Sequence, residues 1–240
     1  MIIFSQRDEK WKNYKYSAKA PHTETIMSSG CGITTAAMII SNLTGEYIEP
    51  PKMADYSVKN GHRIDGVGTA FSLFPAIGKL YNLNCVQTND IFKAIECVRG
   101  NGLVACSTNG GVNKLFSTGG HIFLMSGISG NDCEFIDPDN YSGKYETDYR
   151  KKRAKIKNGK IYVNVNEAKK HITTYFMFER KNNMEKNIYS FDNTVEHMIR
   201  LGITDKANME HWEKCLNGKK DFNKDEVRTI FDRFIKKIYN

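Results

Sequence analysis

The spacing of apolar residues predicts helices followed by strands over the first 180 residues. Helical spacing covers 31–44, 52–60, 69–82 and 90–99, with Gly45 suited to a helix end and Asp90 to a helix start. Strand-like apolar runs occupy 103–107, 121–128, 133–136, 161–165 and 173–178, with a short helix at 167–170. This order predicts an α+β fold with an antiparallel sheet.

The composition changes near residue 180. Polar residues dominate 181–189, which is typical of a linker. Three helix-like stretches follow at 194–201, 209–216 and 224–239, and their apolar positions have helical spacing. The sequence therefore predicts one domain at 1–180 and a small three-helix module at 190–240, which we interpret as a possible cell-wall-binding domain.

Charge is concentrated in one segment of the chain. The formal net charge is +8, and residues 144–160 hold eight Lys or Arg residues against two acids. Such a run predicts a solvated loop. No interleaved aromatic platform or groove-reading helix accompanies it, so nucleic acid is not the expected partner. An anionic polymer such as bacterial wall glycan or teichoic acid would suit it equally well.

The sequence carries no signal for membrane insertion, export or a metal cofactor. No apolar stretch approaches the length of a membrane span, and the first residues do not resemble a signal peptide. We therefore expect synthesis in the cytoplasm and release by another route. The six cysteines form no C-x-x-C pair and are expected to be free thiols. Acidic residues over 221–232 resemble a calcium loop, but Glu226 replaces the required glycine, so no metal or other cofactor is expected.

Cys31 lies between two glycines at the start of a buried helix. The apolar positions that follow it keep helical spacing through Ile40, which places the thiol at the first turn. Unpaired N–H groups and the positive end of the helix dipole favour a thiolate there, and the flanking glycines allow backbone or substrate to approach the sulfur. Two interpretations stay open at this point, a nucleophile or a small cysteine packed at a tight turn.

His121 and Asp137 could supply the base and its orienting partner. A hairpin centred near Ser129 would place them directly opposite each other, and their even separation would put both on one face. A carboxylate beside a histidine fixes its tautomer and supports the imidazolium. The alternative is a structural His–Asp pair. Gln6 is a neutral candidate donor for an oxyanion, together with the backbone N–H of Cys31.

Four motifs, in this order along the chain, resemble one known family. They are Gln6-Arg7-Asp8 with Trp11, S-G-C-G-I-T-T-A-A-M around Cys31, G-G-H-I-F-L-M around His121, and F-I-D-P at Asp137. Together they resemble papain-like cysteine peptidases related to the double-glycine leader peptidases of bacteriocin exporters, over residues 3–178. The resemblance implies a papain-like fold with Cys31 as nucleophile, His121 as general base and acid, Asp137 as orienting residue and Gln6 as oxyanion donor. The chain departs from relatives at Ile33, where proline is frequent, and in its basic insertion after Asp137.

Residues 190–240 resemble a helical module found at the ends of clostridial and phage cell-wall hydrolases. Both resemblances together imply a wall-lytic cysteine endopeptidase, such as a phage endolysin or virion lysin, with peptidoglycan peptides as substrate. Two alternatives stay open: a non-catalytic protein that binds wall or peptide, and a peptidase that acts on a protein or leader peptide. The scissile bond and the oligomeric state do not follow from the sequence.

Overall fold

The computed structural model describes residues 1–111 and 114–181, which belong to one compact unit, Met1–Lys181. The predicted linker, apart from its first residue, lies outside the described residues. The predicted three-helix module and the rejected calcium loop lie outside them as well.

A seven-stranded antiparallel sheet forms the centre of this unit, with helices packed against it. The helices are α1 (Ile26–Ser29), α2 (Cys31–Thr44), α3 (Pro50–Lys59), α4 (Leu73–Leu80), α5 (Ile91–Arg99), α6 (Asp148–Lys151) and α7 (Val165–His171). The strands are β1 (Arg63–Ile64), β2 (Gly68–Thr69), β3 (Leu83–Thr88), β4 (Leu103–Thr108), β5 (His121–Ser129), β6 (Asp132–Ile136), β7 (Ala154–Lys157), β8 (Lys160–Asn164) and β9 (Thr174–Arg180). The large sheet has the order β3-β9-β4-β5-β6-β8-β7, and β1 pairs with β2 separately. The α+β prediction is therefore confirmed.

Two hydrophobic clusters lie on opposite faces of the central strands. Successive residues alternate between them, with Leu103 and Ala105 of β4 in one cluster and Val104 and Cys106 in the other. The first cluster includes α2, α3 and α4, and the second includes α5. All six residues of β4 are consequently buried, which explains its continuous apolar sequence.

Helix α2 is held against the start of β5 by apolar packing and a polar contact. Eleven of its fourteen residues are buried, and the Thr35 hydroxyl donates to the Ile122 carbonyl across 3.4 Å. The helix ends where Gly45 adopts a φ of 84°, the left-handed conformation that glycine tolerates best. This packing brings the first residue of α2 close to the first residues of β5.

Several elements differ from the sequence prediction. The predicted helix at 69–82 is shorter, because Gly68–Thr69 pairs with Arg63–Ile64 instead. Strands β3 and β7 had no sequence prediction. Strand β3 lies at one edge of the sheet, pairs only with β9, and leaves Val86 exposed, so its apolar pattern is weak. No helix among the described residues is long and apolar enough to cross a membrane.

The basic segment is not the solvated loop that its composition predicts. It contains α6, β7 and the first residue of β8, and the side chains of Lys144 and Arg150 are buried. The Arg150 guanidinium donates to the Lys144 carbonyl across 2.7 Å and to the Lys114 carbonyl across 3.3 Å. These charged donors have partners inside the protein, which is the condition for burying them.

Candidate active site

Cys31 is the first residue of α2. Gly30 precedes it without a side-chain cap, so no side chain occupies the helix N-terminus. The backbone N–H groups of Gly32 and Ile122 lie near the sulfur and help to lower the pKa of the thiol. These donors and the positive end of the helix dipole favour the thiolate. The residue as a whole is partly exposed, which places it at the surface of the unit.

The two flanking glycines have packing roles that the sequence did not reveal. A Cβ at Gly30 would collide with the Ile26 backbone, and a Cβ at Gly32 would lie 2.6 Å from the Thr69 side chain. Thr69 is itself hydrogen-bonded to the buried Tyr16 hydroxyl across 2.8 Å. The glycines therefore let α1 and β2 approach the start of α2 closely, which fixes the position of the cysteine.

His121 joins Cys31 to Asp137. The ring is buried at the start of β5, and its Nε2 lies 2.7 Å from Asp137 Oδ1. The Cys31 sulfur lies near the same ring, close enough for each group to shift the pKa of the other. Because the carboxylate takes Nε2, Nδ1 is the ring nitrogen left for the sulfur. The structure thus brings three of the four predicted residues together, with His121 between Asp137 and Cys31.

The register that brings His121 to Asp137 differs from the expected one. The turn is Gly130-Asn131 rather than a turn centred on Ser129, and Ser129 pairs with Asp132. A β-bulge between Met125 and Gly127 then shifts the pairing by one residue, so Leu124 faces Ile136. Asp137 follows this last pair and reaches His121 diagonally, not directly across the hairpin.

Four donors surround the carboxylate of Asp137, which is buried. Oδ1 accepts from His121 Nε2 and from the Asp139 backbone N–H across 2.8 Å. Oδ2 accepts from the Tyr145 hydroxyl across 2.6 Å and from the Lys144 ammonium across 2.7 Å. Both oxygens are therefore satisfied, and two of the four donors carry a positive charge once His121 is protonated.

The pKa shifts favour a thiolate–imidazolium pair. Burial opposes the Cys31 thiolate, but the hydrogen bond and charge of His121 outweigh it and lower the pKa of Cys31. Burial likewise opposes a charged His121, yet the charge and hydrogen bond of Asp137 raise the pKa of His121 to about 9. Despite its burial, Asp137 has a pKa far below the ordinary value, because His121 and Lys144 stabilise its negative charge. At neutral pH His121 and Asp137 are therefore charged, and their neighbourhood favours the thiolate form of Cys31.

Gln6 lies beside Pro138, the residue after Asp137. Within the described residues, no hydrogen bond joins its side chain to Cys31, His121 or Asp137. Its backbone N–H donates to the Pro138 carbonyl across 2.8 Å, and its side-chain Nε2 donates to the Met27 carbonyl across 2.6 Å. The side chain is buried between the residue after Asp137 and the short helix α1 that leads to Cys31. Among the described residues, Nε2 makes this one hydrogen bond and the buried Oε1 has no partner.

Sequence reasoning missed Lys144 and Tyr145, which both contact Asp137. Both belong to the basic segment, and its composition does not indicate which of its lysines is buried. The sequence signal that distinguishes this end of the segment is Tyr145, an aromatic residue that follows Lys144 directly. Within residues 1–111 and 114–181, no group of three or more His, Cys, Asp or Glu side chains could hold a metal ion.

Comparison with solved structures yields weak similarities, among them the following one. A solved structure from Bacillus anthracis, described as a proposed C39-like peptidase, matches with a TM-score of 0.44 and 14% sequence identity. The match covers 75% of this chain and 94% of that chain. No protein-family model matches the sequence, and no curated protein matches it either.

Proposed function

We propose that the protein is a cysteine endopeptidase with Cys31, His121 and Asp137 as its catalytic triad. The observation that carries this proposal is the buried His121 ring, whose Nε2 lies 2.7 Å from Asp137 Oδ1 and whose charge lowers the pKa of the neighbouring Cys31 thiol at the start of α2. A nucleophile, a base and an orienting carboxylate in this order are the minimal set for acyl transfer through a covalent intermediate.

In the first half of the proposed reaction, the Cys31 thiolate attacks the carbonyl carbon of the scissile amide. The oxygen gains negative charge and accepts hydrogen bonds from Gln6 Nε2 and the Cys31 backbone N–H. The imidazolium of His121 gives its Nδ1 proton to the leaving nitrogen as the carbon–nitrogen bond breaks. A thioester on Cys31 and a free amine result.

In the second half, water replaces the amine. His121, now neutral, takes a proton from water at Nδ1 while the oxygen attacks the thioester carbon. The carbon–sulfur bond breaks, the acid product leaves, and the thiolate pairs again with the imidazolium. Asp137 stays ionised throughout, because its charge stabilises the imidazolium and its Oδ1 holds the Nε2 proton.

For the substrate, we propose the peptide stems or cross-bridges of bacterial peptidoglycan, with a wall-lytic role such as that of a phage endolysin or virion lysin. The net charge of +8 and the exposed lysines of the basic segment support it, since bacterial walls carry anionic polymers. Residues 190–240 would then help to bind the wall.

We expect digestion of purified sacculi to release muropeptides with new amine and carboxyl ends. Mass spectrometry of the soluble fragments would identify these ends, and protein blocked with iodoacetamide serves as the control. If new amine and carboxyl ends form in leader-type or virion proteins but not in sacculi, the substrate is a protein. Binding to sacculi without any new ends in either material would favour the non-catalytic alternative.

Replacing Gln6 with Ala should lower kcat about 100-fold and leave KM nearly unchanged. The reason is that an oxyanion donor acts mainly in the transition state, where the carbonyl oxygen becomes charged. Steady-state kinetics on a peptide released from sacculi would measure the change.

Gln87 offers the matched control, since it is exposed on β3 and Gln87→Ala removes the same group. Circular dichroism would establish that both variants fold. An unchanged kcat in Gln6→Ala would remove Gln6 from the oxyanion hole.

A further inference from the structure

Lys144 belongs to a row of alternating charges that ends at the nucleophile. The Arg7 guanidinium lies 2.7 Å from Asp139 Oδ1, and Asp139 Oδ2 lies 3.5 Å from the Lys144 ammonium. The same ammonium lies 2.7 Å from Asp137 Oδ2. The charged row, as we call it, runs in the order Arg7, Asp139, Lys144, Asp137, His121, Cys31, and its charges alternate in sign when Cys31 is a thiolate.

Burial increases along the charged row from Arg7 to Asp137. The side chains of Arg7 and Asp139 are 38% and 22% exposed, whereas those of Lys144 and Asp137 are 3% and 0% exposed. Solvent therefore screens the outer pair, and the inner charges act on each other with little screening. Lys144 and His121 occupy opposite oxygens of one buried carboxylate, so each competes with the other for its negative charge.

The surroundings of Lys144 hold it in this position. Its ammonium also donates to the Asp139 carbonyl across 3.2 Å, and its own carbonyl accepts from Arg150. Among the described residues, the ionisable side chains next to Asp137 or His121 are those of Cys31, Lys144 and Tyr145. The side chains of Arg7, Asp139 and Arg150 lie one contact further out. Among these groups, Lys144 is the fixed cation that shares the carboxylate with His121.

We propose that Lys144 is a positioning residue that limits how strongly Asp137 holds the proton of His121. This inference rests on the proposed function. With Lys144 charged, part of the carboxylate charge is balanced, so the imidazolium remains acidic enough to protonate a leaving amine. Without it, His121 alone would neutralise Asp137, and its proton would be held more tightly.

The test is the pH dependence of Cys31 alkylation by iodoacetamide, followed by mass spectrometry of the Cys31 peptide. This readout needs no substrate. Two inflections are expected in the unmodified sequence, a lower one where the thiolate forms and an upper one near 9 where His121 loses its proton. Lys144→Gln removes the charge but keeps a donor for Asp137. It should move the upper inflection upward by about one pH unit.

Two control variants separate a charge effect from a general effect of mutation. Lys144→Arg keeps the positive charge and should retain the upper inflection near that of the unmodified sequence. Lys151→Gln removes a charge from the same basic segment. Lys151 is exposed and its ammonium pairs with Asp148, so this variant should leave both inflections unchanged. An upper inflection that stays in place in a folded Lys144→Gln protein would overturn the inference.

The remaining outcomes also decide the question. If Lys144→Gln fails to fold, Lys144→Met removes the same charge and places an apolar side chain where the buried lysine chain lies. If Lys144→Gln and Lys144→Met both fail to fold while Lys144→Arg folds, the positive charge serves the stability of the fold. The proposed effect of Lys144 on His121 would then be rejected. A wild-type profile without the lower inflection would instead contradict the thiolate–imidazolium pair and thus the proposed function itself.

Discussion

Cys31→Ala should abolish amide hydrolysis, lowering kcat/KM by at least about 10⁴-fold while the protein stays folded. The thiolate is the group that forms the covalent intermediate, and removing the nucleophile of a triad costs nearly as much as removing the whole triad. Removing one sulfur atom from a residue that is itself partly exposed should change stability little. Release of muropeptides from sacculi, with thermal unfolding as the check on folding, would measure both effects.

Cys85 provides the matched control for this variant. This residue is also partly exposed, but burial of its thiol without a compensating partner raises the thiol pKa to about 12, so it is not a thiolate at neutral pH. Cys85→Ala should therefore retain full activity. Binding to sacculi should survive in Cys31→Ala, because no binding group is removed. Lysis that persists in Cys31→Ala would reject the peptidase proposal.

The start of α2 could be predicted well from the sequence because the relevant interactions are local. Helical spacing after Cys31 and the glycine at position 45 fix both ends of the helix, and the structure begins and ends it at those residues. The order of apolar runs likewise predicted most strands of the sheet. These features depend on neighbours within a few residues, which a sequence pattern records directly.

The contact between His121 and Asp137 was predicted with the wrong register. If the register set by the two-residue turn continued along both strands, odd-numbered residues would pair with even-numbered ones. The side chains of His121 and Asp137 would then lie on opposite faces of the hairpin. The bulge after Met125 adds one residue to β5 and restores the shared face. Gly127, an isolated glycine in this apolar strand, is typical of a bulge, but the sequence prediction assumed regular pairing. The even separation therefore led to the right neighbours through an incorrect pairing.

The role of Lys144 could not be predicted, because it depends on a distant contact. Its partners are Asp137 and Asp139, and its burial depends on how the basic segment packs against the end of β6. Composition suggests solvation for any single lysine in such a run. Only the fold distinguishes the buried Lys144 from the exposed Lys151 seven residues later.

Asp137→Asn should impair both stability and catalysis, since one carboxylate serves two buried cations. The amide oxygen can still accept from His121 Nε2, but its nitrogen would then face the Lys144 ammonium, and two donors would oppose each other. Leaving this ammonium without its closest counter-charge should lower the free energy of unfolding by about 3 kcal/mol. The pKa of His121 should fall from about 9 toward its ordinary value, and kcat/KM should fall about 10³-fold.

The double variant Asp137→Asn with Lys144→Met separates these two effects. Removing the ammonium also removes the opposed donors, so the double variant should recover most of the lost stability in chemical denaturation. Activity should stay low, because His121 still lacks the charge that holds its proton at neutral pH. If the double variant instead regained full activity, Asp137 would serve mainly to accommodate Lys144, and the orienting role in the triad would belong to another group. If stability did not recover, the two residues would not be coupled in the way that their 2.7 Å contact implies.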